Sequence, residues 1–262
     1  MENNLIKIFE ETVINKHDGT IINDLIKLNI INITDLTKEI IKTNNAKYIY
    51  ELAHYIKDTP IDVLANEVIK TNNVVFIYDF AKDVKKAPID KLADIMIKTG
   101  NIEYIYFFAR DVENAPVDKL ANAIIKSNNA EYIYLFADTV INAPIDKLTD
   151  AITKTNNTEY IYLFARDVEN APINKLEKAI IETNDMKYIK LFFKDIKNKL
   201  IAKQSNIPEI TCSDEEIELE NYNTLLDYIK ENNYKQIKEN KKEFAILFSD
   251  NKSKKLIKRK SK

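Results

Sequence analysis

Residues 144–171 read Pro-Ile-Asp-Lys-Leu-Thr-Asp-Ala-Ile-Thr-Lys-Thr-Asn-Asn-Thr-Glu-Tyr-Ile-Tyr-Leu-Phe-Ala-Arg-Asp-Val-Glu-Asn-Ala, and this stretch decides the fold. Its vocabulary returns at a fixed interval. Lys-Thr-Asn-Asn or a close variant begins at 42, 70, 98, 126, 154 and 182, always 28 residues apart. Prolines stand at 60, 88, 116, 144 and 172 in the same register, with Asn32 in the equivalent slot of the first unit. Six units therefore cover 32–199 with no insertion or deletion. Such constancy is expected of a solenoid, where a change of length in one unit disturbs its stacked neighbours.

The chemistry inside the unit predicts two helices. Pro144 suits a first helical position, where its missing N–H has no partner to lose. Asp146 follows in the first turn, on the favourable side of the helix dipole. In the neighbouring unit Val117, Leu120, Ala121, Ile124 and Ile125 repeat at i, i+3, i+4, i+7 and i+8, one apolar stripe of an amphipathic helix. The Asn-Asn step reads as a helix end followed by a helix start. Its first Asn becomes Gly100 in the third unit, and Gly and Asn tolerate the left-handed conformation that closes a helix. Its second Asn becomes Asp185 in the sixth, and both residues are N-caps. The second helix then carries Ile161, Phe164, Ala165 and Val168 on its inner stripe. Each unit is an αα-hairpin with helices of about 10–13 residues. Its few large apolar side chains cannot offset the ordering of a whole hairpin, so stability must come from stacking.

The flanks differ. Residues 1–31 are expected to form a degenerate capping hairpin, with Leu5, Ile8, Phe9 and Val13 on one helix. Ile21, Ile22, Leu25 and Leu28 lie on the next, and His17-Asp18-Gly19 supplies the turn. After Lys199 the register is lost. Residues 200–262 are read as a C-terminal helical cap, with the acidic run 214–220 and helical patterns over 223–231 and 233–248. The last eleven residues, Lys252–Lys262, carry seven Lys/Arg and no acid, and read as a frayed basic tail.

Composition narrows the function. The chain has 262 residues, 39 Lys+Arg against 41 Asp+Glu, so no overall basic excess points to nucleic acid. Two glycines, Gly19 and Gly100, exclude Gly-rich phosphate cradles. A lone cysteine, Cys212, excludes an internal disulfide and a cysteine-based zinc site. Two histidines, His17 and His54, leave little for metal or triad chemistry. No catalytic residue, cofactor site or metal site is expected. The N-terminus lacks the basic start and apolar run of a signal peptide, and no apolar stretch approaches a membrane span of about 20 residues. A cytoplasmic protein is expected.

On the Tyr-Ile-Tyr-Leu-Phe-Ala and Ala-Pro-Ile-Asp-Lys-Leu motifs the chain resembles a HEAT-like α-solenoid built of short tandem hairpins. The resemblance covers about 168 residues strongly. Its unit is shorter than the usual HEAT, armadillo, tetratricopeptide or ankyrin lengths. It implies a binding scaffold and transfers no catalytic residue. The Lys/Asn/Ile/Tyr-rich vocabulary suits a phage or viral protein directed at a host factor.

If the constant columns hold the stack together, the exposed ones are free to recognise a partner. Two tyrosine columns flank the inner stripe of the second helix: Tyr48, Phe76, Tyr104, Tyr132, Tyr160, Tyr188 and Tyr50, Tyr78, Tyr106, Tyr134, Tyr162, Lys190. They either pack between second helices or form base-stacking platforms. The outward column reads Glu51, Asp79, Phe107, Leu135, Leu163, Leu191, acidic first and then apolar. Glu103, Glu131, Glu159, Arg110 and Arg166 lie around it, with Asp111 and Asp167. An apolar row rimmed by charge is the expected form of a protein-binding groove, and its alternative is burial by superhelical twist. The lysine columns of the first helix (Lys91, Lys119, Lys147, Lys175 and Lys42, Lys70, Lys98, Lys126, Lys154) and the tail Lys252–Lys262 are the alternative, nucleic-acid-facing surface. Acids beside them, including i, i+4 pairs Asp94–Lys98 and Asp150–Lys154, favour a solvated face.

Overall fold

The Asn-Asn step closes one helix and opens the next throughout the computed structural model, which describes residues 2–197. Asn44, Asn72, Gly100, Asn128, Asn156 and Asn184 all have φ between 50° and 69°, the left-handed conformation that L-residues with a longer side chain avoid. The following Asn45, Asn73, Asn101, Asn129, Asn157 and Asp185 are extended. In each, the side-chain oxygen accepts a backbone N–H two or three residues on. The residue before the step completes the turn. Thr43, Thr71, Thr99, Ser127, Thr155 and Thr183 each donate their hydroxyl to the carbonyl three residues back at 2.6–2.7 Å. The same hydroxyls accept the N–H of the capping residue at 3.2–3.4 Å.

Helix α1 spans Glu2–Phe9 and α2 Thr20–Lys27. The six hairpins follow: α3 Ile33–Lys42 with α4 Ala46–Tyr55, α5 Ile61–Lys70 with α6 Val74–Asp83, and α7 Ile89–Thr99 with α8 Ile102–Asp111. Then come α9 Val117–Ser127 with α10 Ala130–Thr139, α11 Ile145–Lys154 with α12 Thr158–Asp167, and α13 Ile173–Thr183 with α14 Met186–Phe192. Among the described residues there is no strand. The described residues form an all-helical repeat in which helices pack in chain order, as in an α-solenoid.

Proline stands one residue earlier in the helix than expected. Pro60, Pro88, Pro116, Pro144 and Pro172 have ψ between 76° and 81°, outside the helix, and are N-caps rather than first helical residues. Their carbonyls accept the first helical bonds, as from Leu148 N–H to Pro144 at 3.0 Å. Asn32, in the same slot, caps α3 with its side chain, which marks the slot as a cap. A second left-handed residue precedes each proline, at Asp58, Lys86, Asn114, Asn142 and Asn170.

Packing forms two layers. First helices contribute Leu36, Leu64, Leu92, Leu120, Leu148 and Leu176, and second helices contribute Leu52, Phe80, Phe108, Phe136, Phe164 and Phe192, all without exposure. Second helices of neighbouring units pack on each other more extensively than first helices do, so they form the tighter layer.

Helix α1 takes the place of a second helix. It packs against α3, and the π-type turn Glu10–Ile14 that continues it packs against α4. Phe9 and Val13 are fully buried, four residues apart like Phe164 and Val168. The two helices expected over 1–31 are present with the turn between them, and α2 packs on the π-type continuation of α1, burying Ile22 and leaving Ile21 and Leu28 exposed. Asn23 holds it, donating to the Tyr55 carbonyl at 2.9 Å and accepting the Lys57 N–H at 2.9 Å. Gly19 is required there because a Cβ would collide with the Tyr55 carbonyl. The chain divides between Asn198 and Lys199. The expected acidic run, C-terminal helices and basic tail Lys252–Lys262 lie outside the described residues.

Candidate surface on the second helices

The tyrosines of the second helices are bound into the stack. Ring contacts join each unit to the next: Tyr50–Phe76, Tyr78–Tyr104, Tyr106–Tyr132, Tyr134–Tyr160 and Tyr162–Tyr188, with centroids 5.7–6.0 Å apart. Their hydroxyls reach 33 residues forward. Tyr50, Tyr78, Tyr134 and Tyr162 donate to Asp83, Asp111, Asp167 and Asp195 at 2.6–3.1 Å. Tyr106 meets Thr139 at 2.9 Å, where the acid is replaced. Burial is the first cause raising the titration of Tyr50, Tyr78, Tyr134 and Tyr162, with the facing carboxylates adding to it, and Tyr134 is pushed up to about 12. Of the two expected roles, packing between second helices accounts for both columns.

Outside this ladder lies the outward face. Phe107, Leu135, Leu163 and Leu191 are half-buried, between the two expectations for them. Four residues earlier on the same face, Glu103, Glu131 and Glu159 are exposed. Glu103 and Glu131 both act on Tyr132, and Glu131 and Glu159 both act on Tyr160, so the acids run parallel to the aromatic row. Helices α8, α10 and α12 contain no lysine, and their charged side chains leave each of them net negative.

Arg110 and Arg166 are exposed but engaged. Arg110 grips Asp111 with Nε and Nη2 at 2.7 and 2.8 Å, and lies 4.9 Å from the Phe107 ring and 5.1 Å from Tyr106. Arg166 grips Asp167 at 2.7 Å through both nitrogens and lies 5.3 Å from Tyr162. Lys82 lies over Tyr78 at 5.5 Å, and His54 stacks on Tyr50 at 5.6 Å. The corresponding residue of α10 is Asp138. At Tyr134, then, an acid stands where each of the other four tyrosines of this column carries a basic side chain. The columns contained this signal, because Asp138 breaks the series His54, Lys82, Arg110, Arg166.

At the other end of the outward column Glu51 is only 4% exposed. Its Oε1 lies 3.6 Å from His17 Nδ1, while Oε2 is buried without a hydrogen bond. Desolvation pushes its titration above the usual carboxylate range, and His17 opposes that only in part.

The first-helix lysines pair across units. Lys119 meets Asp94, Lys175 meets Asp150, and Lys147 meets Asp118 at 3.1 Å. The expected pairs Asp94–Lys98 and Asp150–Lys154 are corrected accordingly: each aspartate points to the neighbouring first helix. Among the described residues no cluster of three His, Cys, Asp or Glu side chains is placed to hold a metal, and no helix is long and apolar enough to cross a membrane.

Comparison with protein-family models, with curated proteins and with solved structures returned no match.

Proposed function

We propose that this chain is a non-enzymatic scaffold of HEAT-like hairpins, working in the cytoplasm, that binds another protein along its second helices. The reading rests on one observation: Phe107, Leu135, Leu163 and Leu191 remain partly open on one face of the second helices, while the inner columns of the same helices, Ile77 to Ile189 and Phe80 to Phe192, are consumed by packing. A surface held rigid by the tyrosine ladder loses little freedom on docking, and partly open apolar side chains contribute when covered. The lone cysteine fits a reducing compartment.

The test is affinity capture from the native host, comparing the wild-type chain with a Phe107→Ala/Leu135→Ala/Leu163→Ala variant that keeps its helical circular dichroism. Loss of a specific protein from the variant supports the reading, and identical capture removes it. A nucleic-acid reading would need the first-helix lysines to follow phosphates. Lys119, Lys147 and Lys175 are instead paired with aspartates of the preceding unit.

A further inference from the structure

We infer that the face of α8, α10 and α12 takes a basic peptide segment, with one arginine or lysine seated over Tyr134 against Asp138. This deepens the protein-binding reading and rests on it. The four equivalent tyrosines define what the position accepts: Tyr50, Tyr78, Tyr106 and Tyr162 each carry a basic side chain from the residue four positions on. Cations are drawn to the ring face and to nearby carboxylates together. Asp138 removes the built-in cation and leaves an acid, and Asp138 and Asp167 both act on Tyr134, opposed only by Arg166 of the next unit. Leu135 lies beside Tyr134 in sequence and outward on the helix, half-buried like Phe107 and Leu163. Apolar contact and cation recognition therefore share one place.

Charge complementarity selects the occupant. Glu103 and Asp111 outweigh Arg110 on α8, Glu131 and Asp138 stand without a cation on α10, and Glu159 and Asp167 outweigh Arg166 on α12. The first helices behind them are close to neutral, so the acidity belongs to this face. Packed helices lie about 8–10 Å apart, and an extended peptide advances about 3.3 Å per residue. A basic residue at every third position then meets one acidic unit after another.

The probe is a fluorescein-labelled (Arg-Leu-Ser)₄ peptide titrated into the full chain by fluorescence anisotropy. The same peptide with Glu for Arg, and a twelve-nucleotide single-stranded RNA, are the counter-probes. The expected result is saturable binding of the arginine peptide, weakened by salt, with neither counter-probe retained. Asp138→Arg restores the basic residue of the other units, so it should preserve the melting temperature and weaken the peptide about tenfold or more. Asp138→Asn should weaken it by about fivefold, the scale of one exposed charge pair. Absence of peptide binding, indifference to both substitutions, or retention of RNA in its place overturns the inference. If the alanine triple variant loses its captured protein while Asp138→Arg keeps it, this inference falls and the protein-binding reading stands. If neither variant loses it, both fall.

Discussion

The Tyr78 hydroxyl donates to Asp111 Oδ2 at 2.7 Å, from the second helix of one unit to the end of the second helix in the next. The acceptor is itself gripped by Arg110, so the bond is charge-assisted and its geometry is fixed from both sides. Tyr106 makes the equivalent reach to the neutral Thr139 hydroxyl. Tyr78→Phe should therefore cost about 1–2 kcal/mol of unfolding free energy and Tyr106→Phe less. Urea denaturation of the two variants checks the order, and equal losses would refute it.

Asp111 and Asp167 titrate below the usual carboxylate range, first because the guanidinium next in sequence binds them and then because a tyrosine hydroxyl does. A lowered value in the folded chain means stability that is complete above the ordinary value of 3.8 and lost as pH falls through the lowered one. Asp111→Asn should destabilise the chain by about 1–2 kcal/mol at pH 7. The gap between variant and wild type should narrow in strong acid, which chemical denaturation across that window measures.

Glu51 has the opposite sign. Its raised titration means that the cost of burying the charge is absent below the ordinary value of 4.5, grows as pH rises from there to the raised value, and is complete above it. Later units place Phe107 or Leu135 in this column. Glu51→Leu should accordingly stabilise the chain by about 1 kcal/mol at pH 7, with little gain at pH 4. A pH-independent gain would assign the effect to added apolar burial alone.

Lys86 holds φ at 62° in a turn where three other units use Asn114, Asn142 and Asn170. Its side chain makes that conformation strained. Lys86→Gly should raise stability by about 0.5–1 kcal/mol. Gly100→Ala, at φ 69° with open space around the added methyl, should lower it by about 1 kcal/mol, read as paired shifts in melting temperature.

What the sequence made legible was local. Asn-Asn capping follows from conformational preference within four residues, and the structure keeps it at every step from Asn44 to Asp185. The inner stripe Ile161, Phe164, Ala165 and Val168 follows from helical periodicity, and all four are buried. What was not legible depends on how units meet. The bond from Tyr78 to Asp111 and the pairing of Asp94 with Lys119, not Lys98, are set by the rise and rotation between hairpins, which periodicity does not contain. Helix α1 escaped as a second helix because the inserted α2 removes it from the 28-residue register, although Phe9 and Val13 keep the local spacing of Phe164 and Val168. On the outward face the columns gave the row of Phe107, Leu135 and Leu163, but only the cations over Tyr78, Tyr106 and Tyr162 give Asp138 its meaning.

Because every tyrosine clasp reaches only the adjoining unit, the array is editable in whole modules. Excising residues 116–143 would bring Tyr106 to Asp167, Tyr160 to the Tyr106 ring and Lys147 to Asp94, so each broken junction finds the partner type it lost. A gene built of such near-identical blocks can lengthen or shorten by unequal recombination without leaving a misfolded product. Natural variants of the array should differ in multiples of 28 codons, with their ends unchanged.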